Sequence, residues 1–233
     1  MTTSVPPAPV DTSTTYSPLP DASGIGTILL VSDRPAYIAF EGAEGCGKST
    51  QAARLAASIG AVLTRETGGT EIGARLREIL HDTSVHNLHP RAEAMITAAD
   101  RAQHIEEVVS PALAAGHSVV SDRSVYSSLA YQGYGRGLDI EEIRHLNVWG
   151  TGGVWPTVVI FLDTPGDVIA ERMSRRDLDR FESAGDDFHE RVLEGFRTMA
   201  AVEPDRWITV QAVGSVEQVS TDIRRALDER GVR

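Results

Sequence analysis

The stretch Gly42-Ala43-Glu44-Gly45-Cys46-Gly47-Lys48-Ser49, GAEGCGKS, fits G-x-x-x-x-G-K-[ST] at every fixed position. It lies between an apolar run, Tyr37 to Glu41, and a segment whose Ala52, Leu55, Ala56 and Ile59 recur at i, i+3, i+4 and i+7. The first pattern reads as a buried strand and the second as a helix with one apolar stripe. Strand, glycine loop and helix in that order make a phosphate cradle: the glycines let successive N–H groups turn inward, and the helix adds the positive end of its dipole. Lys48 is then placed to bridge the outer phosphates of a nucleotide, and Ser49 to offer its hydroxyl to the accompanying magnesium ion. Gly42 to Thr50, with Ala43, Glu44, Gly45, Cys46 and Gly47 between, form the expected ATP-binding segment. Cys46 reads as a small loop residue whose thiol ATP should shield from alkylation.

Further along, short apolar runs alternate with longer segments of helical period. Candidate strands are Tyr37 to Glu41, Ala61 to Arg65, His117 to Asp122, Thr157 to Leu162 and Trp207 to Val210. This spacing predicts an α/β fold with a five-stranded parallel sheet and helices on both faces. A long helix is expected from about Arg91 to Ala115, with Met95, Ala98, Ala102, Ile105 and Val109 facing inward. Gly133, Gly135 and Gly137 read as a surface loop. Residues 1 to about 23 are rich in Pro, Ser and Thr, so 1–34 is expected to be a disordered extension, or the product of a start codon assigned too early. Residues 35–233 are then one domain.

At 233 residues and 41% hydrophobic content, the chain can bury a core without disulfides. Its formal charge of -11 argues against coating nucleic acid or an anionic membrane, so an anionic ligand must be held locally. The single cysteine excludes an intramolecular disulfide. His86 and His89 flank loop-like sequence and read as exposed polar residues. No apolar run approaches a membrane span and the N-terminus does not read as a signal peptide, which together predict a cytoplasmic protein.

The third candidate strand ends in Asp122 and Arg123, an acid and a base at the carboxyl edge where open parallel sheets bind ligands. Asp122 can hold magnesium or its waters, a role for which Asp163 competes. Arg123 can grip a second phosphate, and a surface ion pair is the plainer alternative. Arg175, Arg176 and Arg180 crowd among acids around 174–187, which reads as a charged lid or as a solvated helix face.

Taken together, FEGAEGCGKSTQ, RETGGT, ADRAQH, SDRSVYSSLAYQG, GRGL and LDRFES resemble, in this order, the bacterial thymidylate kinases over roughly residues 37 to 211. The resemblance implies the P-loop nucleoside monophosphate kinase fold, usually a homodimer, that uses ATP and magnesium to convert dTMP to dTDP. It implies that Glu44 meets the sugar 3'-hydroxyl, Arg123 the acceptor phosphate, Arg101 the thymine edge, and that Tyr131 crowds out a ribose 2'-hydroxyl. Arg65, Ser127, Ser128 and Gln132 fall in the same substrate segments. Gly45, where some members carry arginine, implies the subclass whose catalytic arginine comes from the lid: Arg175, Arg176 or Arg180.

Three positions depart from the family pattern. Thr67 stands where proline is usual, and Ser124 where an aromatic usually follows Asp-Arg. Thr97 takes the place of the phenylalanine that usually stacks on thymine, leaving Tyr126 or Tyr134 as candidate replacements. A kinase for another nucleoside monophosphate or small metabolite, and a regulatory P-loop ATPase, are the competing readings.

Overall fold

The computed structural model describes residues 34–173, 180, 181 and 185–232. The expected N-terminal extension lies outside them, apart from Arg34, as do Arg175 and Arg176. Of the expected lid at 174–187, only Arg180, Phe181 and 185–187 are described.

Five parallel strands form one sheet in the order β2-β3-β1-β4-β5: β1 Tyr37–Glu41, β2 Val62–Arg65, β3 Val119–Asp122, β4 Val158–Asp163 and β5 Trp207–Gln211. Each falls within a residue or two of its expected span. β1 is the central strand and is buried along its whole length, since YIAFE is flanked by neighbours on both edges. Register sets Phe40 beside Asp122 and Glu41 beside Phe161, so the loops after β1 and β3 leave the same edge side by side.

Alternation along the strands builds two cores. Ile38, Phe40, Val158, Ile160, Leu162 and Ile208 pack against α1, Lys48–Ile59, and α9, Val216–Glu229. Val159, Phe161 and Trp207 point the other way, to Phe188 and Phe196 of α8, Asp186–Val202. That second layer also contains α2, Glu71–His81; α3, Pro90–His104; α4, Ser110–Ala114; α5, Val125–Ser128; and α6, Ile140–Thr151. A short α7, Gly166–Met173, follows β4.

The expected long helix is interrupted. Between α3 and α4, residues Ile105–Val109 form a wider turn, with Ser110 N–H donating to the Ile105 carbonyl five residues back. Pro111 accounts for it: proline has no N–H to give, and its ring crowds the preceding turn of a regular helix. The expected inward stripe also needs correction. Ala98, Ile105 and Val109 are buried, but Met95 is 57% exposed. The inward face of α3 instead carries Ala94, Thr97, Arg101 and His104, a largely polar set that apolar periodicity overlooks. The glycine segment is likewise no surface loop. Leu129–Gly135 is a second wide helical turn, and a Cβ on Gly135 would lie 2.6 Å from Phe188, so glycine is what lets α8 pack there.

Candidate active site

The loop from Gly42 to Gly47 closes over the N-terminus of α1. Gly42, Gly45 and Gly47 have φ of 142°, 74° and 101°, which side chains on L residues rarely tolerate. A Cβ on Gly42 would meet the Leu162 carbonyl at 2.8 Å, so the loop sits tight on the end of β4. Gly47 caps α1 without a side-chain hydrogen bond, so the capping residue itself leaves the first-turn N–H groups to other partners. Lys48 is buried and donates to the Gly42 and Ala43 carbonyls at 3.1 and 2.8 Å. Ser49 Oγ donates to Asp122 Oδ2 at 2.5 Å, joining the loop to the end of β3. Asp163 is turned elsewhere, paired with Arg197 at 3.0 Å and with Gln211.

Arg123 follows Asp122 with φ of 73°, the one non-glycine positive φ among the described residues. Its N–H is held by the Phe40 carbonyl at 2.9 Å. The guanidinium donates to Glu44, to Tyr131 Oη at 3.1 Å and to Ser127 Oγ at 3.1 Å. Burial opposes its charge, yet Glu44, Tyr131, Asp122 and Glu41 outweigh that and hold its pKa well above the usual arginine value. Below it, Glu41 is fully buried and accepts from Ser124 N, Ser124 Oγ and Ser127 Oγ. Burial raises the Glu41 pKa, against the pull of Arg123 and the two hydroxyls.

A second arginine, Arg101 of α3, is 2% exposed and makes four hydrogen bonds to protein groups. Nε donates to Glu66 Oε2 at 2.6 Å, Nη1 to Ser128 Oγ at 2.9 Å and to Asn147, and Nη2 to the Ser124 carbonyl at 3.0 Å. Glu66 also meets His104 Nδ1 at 2.8 Å, whose Nε2 lies 2.7 Å from Thr64 Oγ1. Burial pushes the Glu66 carboxyl up, but Arg101 and His104 more than reverse it and its pKa is lowered. Asp100 Oδ1 accepts from Gly68 N–H at 2.8 Å and fixes the loop after Glu66, where the Glu66–Thr67 peptide is cis.

These groups surround one cavity of about 470 Å³. Glu44, Gly45, Gly47, Lys48, Ser49, Thr50 and Asp122 line it on the side of the glycine loop. Arg65, Thr97, Arg101, Arg123, Ser127, Tyr131 and Gln132 line it as well, so most residues singled out from sequence converge here. Ser128 sits behind the lining, 1% exposed, as a support for Arg101. Gln132 Nε2 donates to Glu93 at 2.9 Å while its Oε1 is buried without a partner.

Arg180 does not line the cavity. It donates to the Leu80 carbonyl and to Glu93, both at 2.7 Å, and its guanidinium lies over the Phe181 ring. Neither tyrosine suggested as a replacement ring lines the cavity. Tyr126 is wedged between Trp155 and Trp207, bonded to Glu203, and Tyr134 packs on Gly195.

Sequence reading missed Arg172, Arg77, His81 and Phe181, all of which line the cavity. Arg172 reaches from α7 to the Gly45 and Cys46 carbonyls at 3.5 Å and to the Ala212 carbonyl at 3.0 Å. It stands one turn before the arginine pair that drew attention, and only the chain's return to the loop distinguishes it. Arg77 on α2 donates to Thr67, and its position on an exposed helix gave no signal.

A family model described as thymidylate kinase matches residues 40–223. A thymidylate kinase of Synechococcus sp. is 44% identical over 201 residues, 83% of this chain and 95% of that protein. Those of Desulfovibrio desulfuricans and Clavibacter michiganensis are each 44% identical, covering 82% and 81% of this chain and 94% and 92% of theirs.

Proposed function

This chain belongs to the thymidylate kinase family, and on that footing we infer that it transfers the γ-phosphate of ATP to dTMP, giving dTDP and ADP on the route to dTTP. The observation that carries the reading is the single cavity in which the uncapped loop at α1 faces Arg123 and Arg101. One end suits a triphosphate and the other a phosphate joined to a base.

Lys48 and the loop N–H groups bind the β- and γ-phosphates, and Arg172, lying across the loop carbonyls, adds positive charge beside them. Arg123, braced by Glu44 and Ser127, holds the acceptor phosphate in line. With a second pKa of about 6, that phosphate is already largely dianionic near neutral pH, and no general base is required. Positioning and charge neutralisation supply the acceleration. The Ser49 hydroxyl and Asp122 carboxylate are hard oxygen donors 2.5 Å apart at the cavity wall, a donor set that fits magnesium. When bound there, the ion neutralises charge on the outer phosphates. Tyr131 is bonded to both Arg123 and Glu44, which supports the role the resemblance implies for it, crowding out a ribose 2'-hydroxyl beside the acceptor phosphate. The parts of Arg175 and Arg176 rest on sequence resemblance.

A homodimer is the proposed assembly. Ile72 and Ile79 of α2, Met95 of α3 and Trp149 of α6 are exposed, Trp149 to 85%, on helices packed side by side. Among the described residues no helix is long and apolar enough to cross a membrane, and a cytoplasmic location, where ATP and dTMP meet, is proposed.

ADP formation from ATP and magnesium, measured against dTMP, dUMP, UMP and CMP, tests the assignment. Preference for dTMP is expected. Equal rates would remove dTMP as the acceptor, and ADP release without any monophosphate would favour an ATPase. Sedimentation tests the dimer.

A further inference from the structure

A planar base bound at the Arg101 end needs an apolar partner for its face, because stacking on a ring supplies much of the affinity for bases. Thr97 does not provide one: its hydroxyl is committed to the Glu93 carbonyl at 2.8 Å, leaving a methyl group at the wall. Tyr131 is drawn toward Arg123 and Glu44. Phe181 lines the same cavity beside Leu80 and His81, and is only 7% exposed.

We propose that Phe181 is the ring against which the acceptor base packs, and that Arg180 is a positioning residue that acts through it. The inference deepens the dTMP kinase reading and rests on it. Phe181 is held from several sides. His81 and Tyr131 meet it edge-on with centroids 5.3 and 5.9 Å away, and the Arg180 guanidinium lies 4.7 Å from its centroid. Arg180 is in turn fixed by the Leu80 carbonyl and Glu93.

Glu93 connects this ring to a polar reader. The same buried carboxylate that takes Arg180 also takes Gln132 Nε2, which orients the unpartnered Gln132 Oε1 as an acceptor. A ring, and an acceptor suited to a ring N–H, thus share one anchor. That combination fits a pyrimidine whose N3 carries hydrogen, and it moves the stacking contact from α3 to the segment after α7.

Steady-state ADP formation, with dTMP and ATP varied in turn, tests the proposal. Phe181→Ala should raise KM for dTMP roughly five- to a hundred-fold, with KM for ATP changed less than about twofold. Phe181→Leu keeps apolar volume without a ring, so raised KM in that well-folded variant separates stacking from core packing. Phe181→Trp should retain affinity, with indole fluorescence altered by dTMP. T97F added to F181A should recover part of the loss by supplying a ring from another lining position. Arg180→Ala should raise KM for dTMP, and an unchanged KM for dTMP or a large fall in kcat at constant KM would overturn its positioning role. Unchanged KM for dTMP in both F181A and F181L, with wild type active on dTMP, would overturn the Phe181 assignment alone. A wild-type protein indifferent to dTMP would overturn the functional reading and this inference with it.

Discussion

The two ends of the cavity are built on different principles. The donor end is made of consecutive residues, Gly42 to Ser49, and its recognition elements are mostly backbone N–H groups freed by positive-φ glycines. The acceptor end is made of side chains from distant elements. Glu66 follows β2, Arg101 and His104 come from α3, Ser124 from the loop after β3 and Asn147 from α6. A backbone cradle needs no buried counter-charge. A buried guanidinium does, and every partner it lacks leaves a charge desolvated without compensation.

That contrast predicts opposite failures. Arg101→Ala should destabilise the fold by about 3–5 kcal/mol, because Glu66 is left buried without its main cation. Urea unfolding would reveal it, and an unchanged midpoint would mean that the acceptor end is no more costly to break than the donor end. Lys48→Ala should do the reverse, lowering kcat by about 10²–10³-fold with a much smaller change in unfolding midpoint. A well-folded Lys48→Ala protein with near-normal turnover would break the comparison from the other side.

Acid should expose the same difference more gently. Glu66 has a folded-state pKa below the ordinary glutamate value of 4.5, so its ion pairs contribute fully above that pH and are lost as pH falls through the lowered pKa. The stability deficit of Glu66→Gln should therefore be greatest near neutrality and shrink below about pH 4.5. Glu41 runs the other way. Its raised pKa means that the folded state favours the protonated form, so it adds stability as pH falls through that pKa. Smallest of the effects, Ser124→Ala should cost about 1 kcal/mol through the lost bond to Glu41 and the weakened cap of α5, with a modest rise in KM for dTMP.

How legible each part was follows from the same distinction. The strands and the glycine loop could be read from neighbours in sequence, because short apolar runs and a strand, loop, helix order are local. Arg101 and Gln132 were reached only through resemblance to a family, and what holds Arg101 was not visible at all: Glu66, Ser128 and Asn147 lie 35, 27 and 46 residues away. Met95 was assigned to the core because it is apolar and near the right phase, yet α3 turns a polar face inward to serve the cavity. Phe181 stood inside a charged run, where composition speaks only of solvent.

Ser124 has a consequence for placement. Its carbonyl receives Arg101, its N–H and hydroxyl are held by Glu41, and Arg123 is the residue before it. The placement of Arg101 relative to Arg123 is therefore set by a single residue pinned at both ends. On the proposed roles, a ligand that reaches both arginines presents a base to one and a phosphate to the other, through one residue that ties the two together.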